Sequence, residues 1–117
     1  APEFPPSAAG EPKVNGHHGE PDAAPAGWAV VVERPGRPAE SLTVAELLAG
    51  LPRVEATTEL KCIEGWSTVV QWGGVRFADV AKARGWPVGD HPYVSLMTPD
   101  GGYYVGLDMA SALHPQT

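Results

Sequence analysis

KCIEGWSTVVQW, from Lys61 to Trp72, holds the only cysteine of the chain. A lone thiol has two plain uses. It packs as a small hydrophobe, since free cysteine is among the most buried residue types, or it serves as a soft sulfur donor to a metal. Position is compatible with both. Val54, Ala56, Thr58, Leu60 and Cys62 alternate with Glu55, Thr57, Glu59 and Lys61, the period of two that marks a strand with one buried face. Cys62 falls on the apolar face, at the strand's end. A single cysteine also excludes an intrachain disulfide, so cysteine usage says nothing of the redox compartment.

Other reactive side chains are scattered. Ser67, Asp79, Asp90, His91 and Asp108 supply a hydroxyl, carboxylates and an imidazole, but no elbow or comparable local context frames the serine as a nucleophile. His17, His18 and His91 form no spaced set with Cys62 of the kind zinc requires, and paired histidines in a proline-rich stretch are ordinarily solvated. Gly73-Gly74 and Gly101-Gly102 lack the lysine and serine of a phosphate loop and the spacing of a dinucleotide fold, so they read as turns. Trp66, Trp72 and Trp86 are candidates for a pocket lining or for core.

The elements that position these residues follow from local signals. With 117 residues the chain has room for one hydrophobic core. Residues 1–27 carry few large apolar side chains and much proline, glycine and acid. Such a segment cannot offset its own ordering entropy and reads as an arm or linker that folds only by lying on another surface. Trp28 to Glu33 reads as a first strand, closed by the turn Arg34-Pro35-Gly36. Thr43 and Glu46 fit a capping box for a short helix through Leu48, stopped by Gly50 and Pro52. Phe77, Val80, Ala81 and Arg84 recur at helical spacing, with Gly85 at the C-terminal cap position. Tyr93 to Thr98 and Tyr103 to Leu107 flank a turn and read as a hairpin. Asp108 caps a last helix, Met109 to Leu113. Strands and helices alternate without a βαβ rhythm, which predicts an α+β domain with a mixed sheet over residues 28–117. The net charge of -6 leaves no broad basic face, so nucleic acid is not expected as a partner.

CIEGWS at Cys62–Ser67, WGGV at Trp72–Val75, the helix FADVAKA and the segment YVSLMTPDGGYYVGLDMASALHP together resemble the sulfite-oxidase-type molybdopterin-binding domain. The likeness runs from Val14 to Thr117. It implies a sulfite-oxidase-like fold with a molybdenum-molybdopterin cofactor, in which Cys62 is the thiolate ligand to the metal. It also implies that Thr98 contacts the cofactor and that Asn15 reaches the pterin, with His17 or His18 nearby. In the family, residues beyond the His-Pro-x-Thr point grip the pterin phosphate, so the sequence is expected to be truncated at its C-terminus relative to the whole domain.

One departure bears on substrate. Where sulfite oxidases carry a Gly-Asn-Arg-Arg-like run after the cysteine, this chain has Ile63, Glu64, Gly65 and Trp66. The match is better with the bacterial branch of the family that reduces methionine sulfoxide in the periplasm. The resemblance thus implies an oxidoreductase that performs oxygen-atom transfer on a neutral sulfoxide or N-oxide. Its electron partner would be a haem or membrane protein, and its location extracytoplasmic. The alternative is a non-catalytic module that keeps the fold without cofactor. A thiol redox protein is disfavoured, because no second cysteine is present to resolve an oxidised Cys62.

Overall fold

The computed structural model of the chain describes residues 1–13 and 27–117. It forms two compact units, Ala1–Gly74 and Val75–Thr117. Both mix strands with short helices, as an α+β chain should. The expected mixed sheet does not appear among the described residues. Among the described residues each strand pairs only with its sequence neighbour, giving three two-stranded sheets. Each pair is a hairpin whose strands are joined by a short connection.

In the first unit, β1 (Ala29–Val32) pairs antiparallel with β2 (Glu40–Thr43). Arg37 N–H donates to the Arg34 carbonyl at 3.2 Å, closing a turn with Pro35 and Gly36 at its centre. Gly36 has φ +70, the left-handed geometry that a type II turn requires at that position. Leu42 of β2 is 2% exposed and is the deepest side chain of the unit. Helix α1 (Val44–Leu48) starts at the capping box: Glu46 N–H donates to Thr43 Oγ1 and Thr43 N–H to Glu46 Oε2, each at 3.1 Å. Its five residues make too few internal hydrogen bonds to stand alone, so the cap accounts for much of its definition.

β3 (Arg53–Lys61) and β4 (Ser67–Val75) form the hairpin that carries Cys62 at its tip. Val54, Ala56, Thr58 and Leu60 are half-buried and Arg53, Glu55, Glu59 and Lys61 exposed, as the alternation predicts. Thr57 departs from it, being 4% exposed on the polar face. At this point another piece of chain joins the strand: the Phe4 N–H donates to the Thr57 carbonyl at 2.8 Å. The first residues, with a 3-10 turn at Pro6–Ala8, thus lie on the hairpin.

In the second unit, α2 (Phe77–Arg84) buries Val80 and Ala81 and ends at Gly85, φ +66, whose N–H caps the last turn. Val88–Asp90 forms a 3-10 turn. β5 (Tyr93–Met97) and β6 (Tyr104–Asp108) pair antiparallel with Met97 opposite Tyr104. α3 (Met109–Ala112) begins at Asp108, whose carboxylate accepts from the Ser111 N–H at 2.9 Å and the Ser111 hydroxyl at 2.6 Å. Asp108 is therefore held below the usual aspartate range, first by the Ser111 hydroxyl and then by the Ser111 backbone. No helix among the described residues is long and apolar enough to cross a membrane.

Candidate functional site

The tip of the β3–β4 hairpin is built from Cys62, Ile63, Glu64, Gly65 and Trp66. Cys62 N–H donates to the Trp66 carbonyl at 2.9 Å, and Gly65 N–H to the Cys62 carbonyl at 3.1 Å. Gly65 has φ +91, while Ile63 and Glu64 keep negative φ. That combination is a three-residue hairpin loop, a type I turn followed by a left-handed glycine bulge. Both backbone polar groups of Cys62 are thereby fixed, and its side chain is half-buried. Among the described residues, the side-chain partner of the thiol at hydrogen-bond distance is the Glu64 carboxylate, Sγ to Oε1 3.8 Å. Ile63 beside it is fully exposed.

The indoles and charges of this hairpin are ordered by the same pleat. Trp66 is half-buried next to Cys62. Trp72 is 47% exposed and donates from Nε1 to Thr58 Oγ1 at 3.0 Å. Lys61 pairs with Glu59 at 3.9 Å, two residues away on the face opposite Cys62. Arg53, at the far end of β3, lies over Gly73, where a Cβ would fall 2.9 Å from Nη2. At about 3.3 Å per residue, roughly 25–30 Å of strand separates it from Cys62.

What this arrangement offers a metal is one soft sulfur on a fixed backbone. No cluster of three His, Cys, Asp or Glu able to hold an ion occurs among the described residues. A metal held mainly by another sulfur chelate, as the dithiolene of molybdopterin holds molybdenum, asks few donors of the protein and can be completed by a single thiolate. The donor set at Cys62 fits that demand.

Thr98 belongs to the second unit, at the start of the β5–β6 turn. Its hydroxyl donates to Asp100 Oδ1 at 2.7 Å and accepts from the Tyr103 N–H at 3.1 Å. Its backbone is engaged too, donating to the Tyr103 carbonyl and accepting from the Gly101 N–H, both at 2.9 Å. Asp100 also accepts from the Gly102 N–H at 2.9 Å. The Thr98 hydroxyl first and the Gly102 amide second hold the Asp100 carboxyl below the ordinary range. One hydroxyl lone pair is thus what Thr98 retains for a cofactor. Asn15, His17 and His18 lie outside the described residues.

The remaining sequence candidates take structural posts. Asp79 sits in the first turn of α2, Asp108 caps α3, and His91 closes the 3-10 turn through its N–H to the Val88 carbonyl at 3.3 Å. Ser67 opens β4 in the first unit. Trp86 packs at a tilt on Phe77, centroids 6.2 Å apart. Sequence reasoning missed the Cys62–Glu64 and Thr98–Asp100 contacts. Their signal was a polar residue two positions after each, the spacing at which short side chains meet across a turn.

Comparisons with known proteins bear on the family of the chain. Residues 17–117 match the sequence profile of the oxidoreductase molybdopterin binding domain. The chain is 44% identical over 75 residues to YedZ1 of Azospira oryzae, provisionally named a protein-methionine-sulfoxide reductase subunit, covering 64% of this chain and 28% of that protein. It is 34% identical over 108 residues to the protein-methionine-sulfoxide reductase catalytic subunit MsrP of Xanthomonas campestris, covering 77% and 32%. The MsrP of Burkholderia mallei is 32% identical over 104 residues, with 77% and 31% covered. The chain spans about a third of the length of these relatives. With the profile matched over most of its length, from the proline-rich arm through the Cys62 hairpin to Thr117, the chain belongs to the oxidoreductase molybdopterin-binding domain family.

Proposed function

We propose that this chain supplies the cysteine-bearing part of a molybdenum-dependent oxidoreductase, with the Cys62 thiolate as protein ligand to the metal. The observation that carries the reading is the hairpin tip. A soft donor sits there on a backbone whose N–H and carbonyl are both locked, the preorganisation a ligand needs. When bound, the cofactor supplies a metal that takes or gives one oxygen atom as its oxidation state changes. The protein's part is to fix the sulfur and shape the ground around it. Trp66 presents apolar surface beside Cys62, and Trp72 adds a half-exposed indole along the same hairpin face.

Charge favours a neutral substrate. The side chain in contact with Cys62 is a carboxylate, which repels an incoming anion. Lys61 is turned away and paired with Glu59, and Arg53 is spent over Gly73 at the other end of β3. Bringing an anion into a partly dry site without a fixed cation costs several kcal/mol. A sulfoxide or N-oxide group avoids that cost. The names of the MsrP relatives, which specify protein-methionine sulfoxide, support the sulfoxide. A haem or membrane electron donor and an extracytoplasmic location complete the proposal.

The test uses the complete protein. Cys62→Ser exchanges sulfur for a harder oxygen and is expected to abolish sulfoxide reduction with a reduced dye donor while lowering bound molybdenum. Full activity with wild-type metal content would overturn the ligand assignment. Sulfite oxidation exceeding reduction of every sulfoxide and N-oxide, in kcat/KM, would overturn the substrate class.

A further inference from the structure

The hairpin's own ladder decides which of its backbone groups point outward. Cys62 and Trp66 are a hydrogen-bonded pair, and in an antiparallel ladder such pairs alternate with residues whose N–H and carbonyl face away from the partner strand. Counting from the tip, Thr57 of β3 and Val69 of β4 both fall in the outward set, one on each edge. Both of those carbonyls are taken. Phe4 N–H donates to Thr57 and Gly10 N–H to Val69, each at 2.8 Å.

Between those anchors the segment is shaped for the crossing. Ala8 N–H donates to the Pro5 carbonyl at 2.9 Å and Ala9 N–H to the Pro6 carbonyl at 3.1 Å. Passing from one outer edge to the other spans about three strand spacings, roughly 14 Å, within reach of the residues between Phe4 and Gly10. Pro5 and Pro6 have restricted φ, which lowers the entropy lost on docking. They also have no N–H to extend pairing. Gly10 comes close enough to Thr68 that a Cβ would lie 3.4 Å from its Oγ1.

We propose that the two outer edges of the Cys62 hairpin form a docking surface for a proline-containing peptide, and that Ala1–Gly10 of the same chain is its occupant. Docking satisfies an outward carbonyl on each edge and denies both edges to a second copy of the hairpin, a pairing that open strands invite. The proposal stands on the hydrogen bonds alone and is independent of the cofactor reading.

Amide exchange in the intact chain is the first test. Phe4 and Gly10 are expected to exchange at least about tenfold more slowly than their random-coil rates, because an amide held in a hydrogen bond exchanges only when it opens. The second test adds the synthetic peptide APEFPPSAAG to a chain lacking residues 1–10, with a control peptide N-methylated at Phe4 and Gly10. The control keeps every side chain and removes both donors, so its binding is expected to be at least about tenfold weaker, the effect of losing one to two net hydrogen bonds. Random-coil exchange at Phe4 and Gly10, or equal binding of the two peptides, would overturn the proposal. If the shortened chain fails to fold, exchange in the intact chain decides.

Discussion

Gly65→Ala tests whether the turn geometry at the Cys62 tip is set by one backbone angle. A Cβ at Gly65 meets nothing within 4 Å, so no steric clash enters and the cost is conformational. An L-residue in the left-handed region costs about 1–2 kcal/mol, and φ +91 lies beyond the left-handed minimum near +57, toward the upper end of that cost. Against it, alanine narrows the unfolded ensemble, returning about 0.4–1 kcal/mol where the angle is tolerated. The net expectation is destabilisation of about 1 kcal/mol. With a urea m-value of about 1–3 kcal/mol/M, the unfolding midpoint should fall by roughly 0.3–1 M.

Trp66 adjoins the turn, so tryptophan fluorescence in urea reports this hairpin together with the signals of Trp28, Trp72 and Trp86. Two companions sharpen the outcome. Gly65→Asn should lose about half as much, because asparagine visits the left-handed region more readily. Gly74→Ala, also in open space but without a positive φ, should be neutral or slightly stabilising. A midpoint for Gly65→Ala at or above wild type, or equal shifts at Gly65 and Gly74, would refute the argument. In the complete protein the same substitution loosens the bond from Gly65 N–H to the Cys62 carbonyl, and metal content should fall relative to Gly74→Ala.

Acid stability of the second unit should reflect Asp100 and Asp108. Both carboxyls titrate below their ordinary value of 3.8 in the folded chain, so the unfolded state binds more protons between the two values. Their contribution is present above the unfolded pKa and is lost as pH falls through the lower, folded ones. Denaturation midpoints should therefore be flat above about pH 5 and drop below about pH 4, where unfolded aspartates titrate. Thr98→Val removes the largest cause at Asp100 and should flatten that drop; a drop unchanged in Thr98→Val would count against it. Thr43→Ala strips the cap of α1 and should cost about 1 kcal/mol, with Glu46→Ala costing less. Equal midpoints for Thr43→Ala and wild type would show that the capping box does not hold this helix.

What could be read from the sequence was what neighbouring residues decide. The box at Thr43 and Glu46, the stop at Gly85 and the turn after Thr98 each involve residues a few positions apart, and the structure forms all three. β2 was not legible. Its four residues, Glu-Ser-Leu-Thr, come after Pro38-Ala39 and carry no alternation long enough to register; they become a strand because β1 pairs with them across the Pro35-Gly36 turn. Leu42, the deepest side chain of its unit, was invisible for the same reason. At the candidate site the alternation placed Cys62 on the apolar face, but the three-residue loop with its glycine bulge, which fixes the cysteine's backbone, was not foreseen.

Thr57 shows where the first residues, read from composition as an arm that orders only on another surface, find that surface. Counting large apolar side chains asks how much surface a segment can hide, and by that measure residues 1–13 hide little. They meet the hairpin through the N–H groups of Phe4 and Gly10, and every residue except proline carries that donor whatever its side chain. What made the contact available was the other partner: two strands whose pairing leaves alternate carbonyls facing out. That periodicity belongs to β3 and β4, some fifty residues further along. Thr57 is buried on a face its own sequence marks as polar, at the position where the distant segment docks.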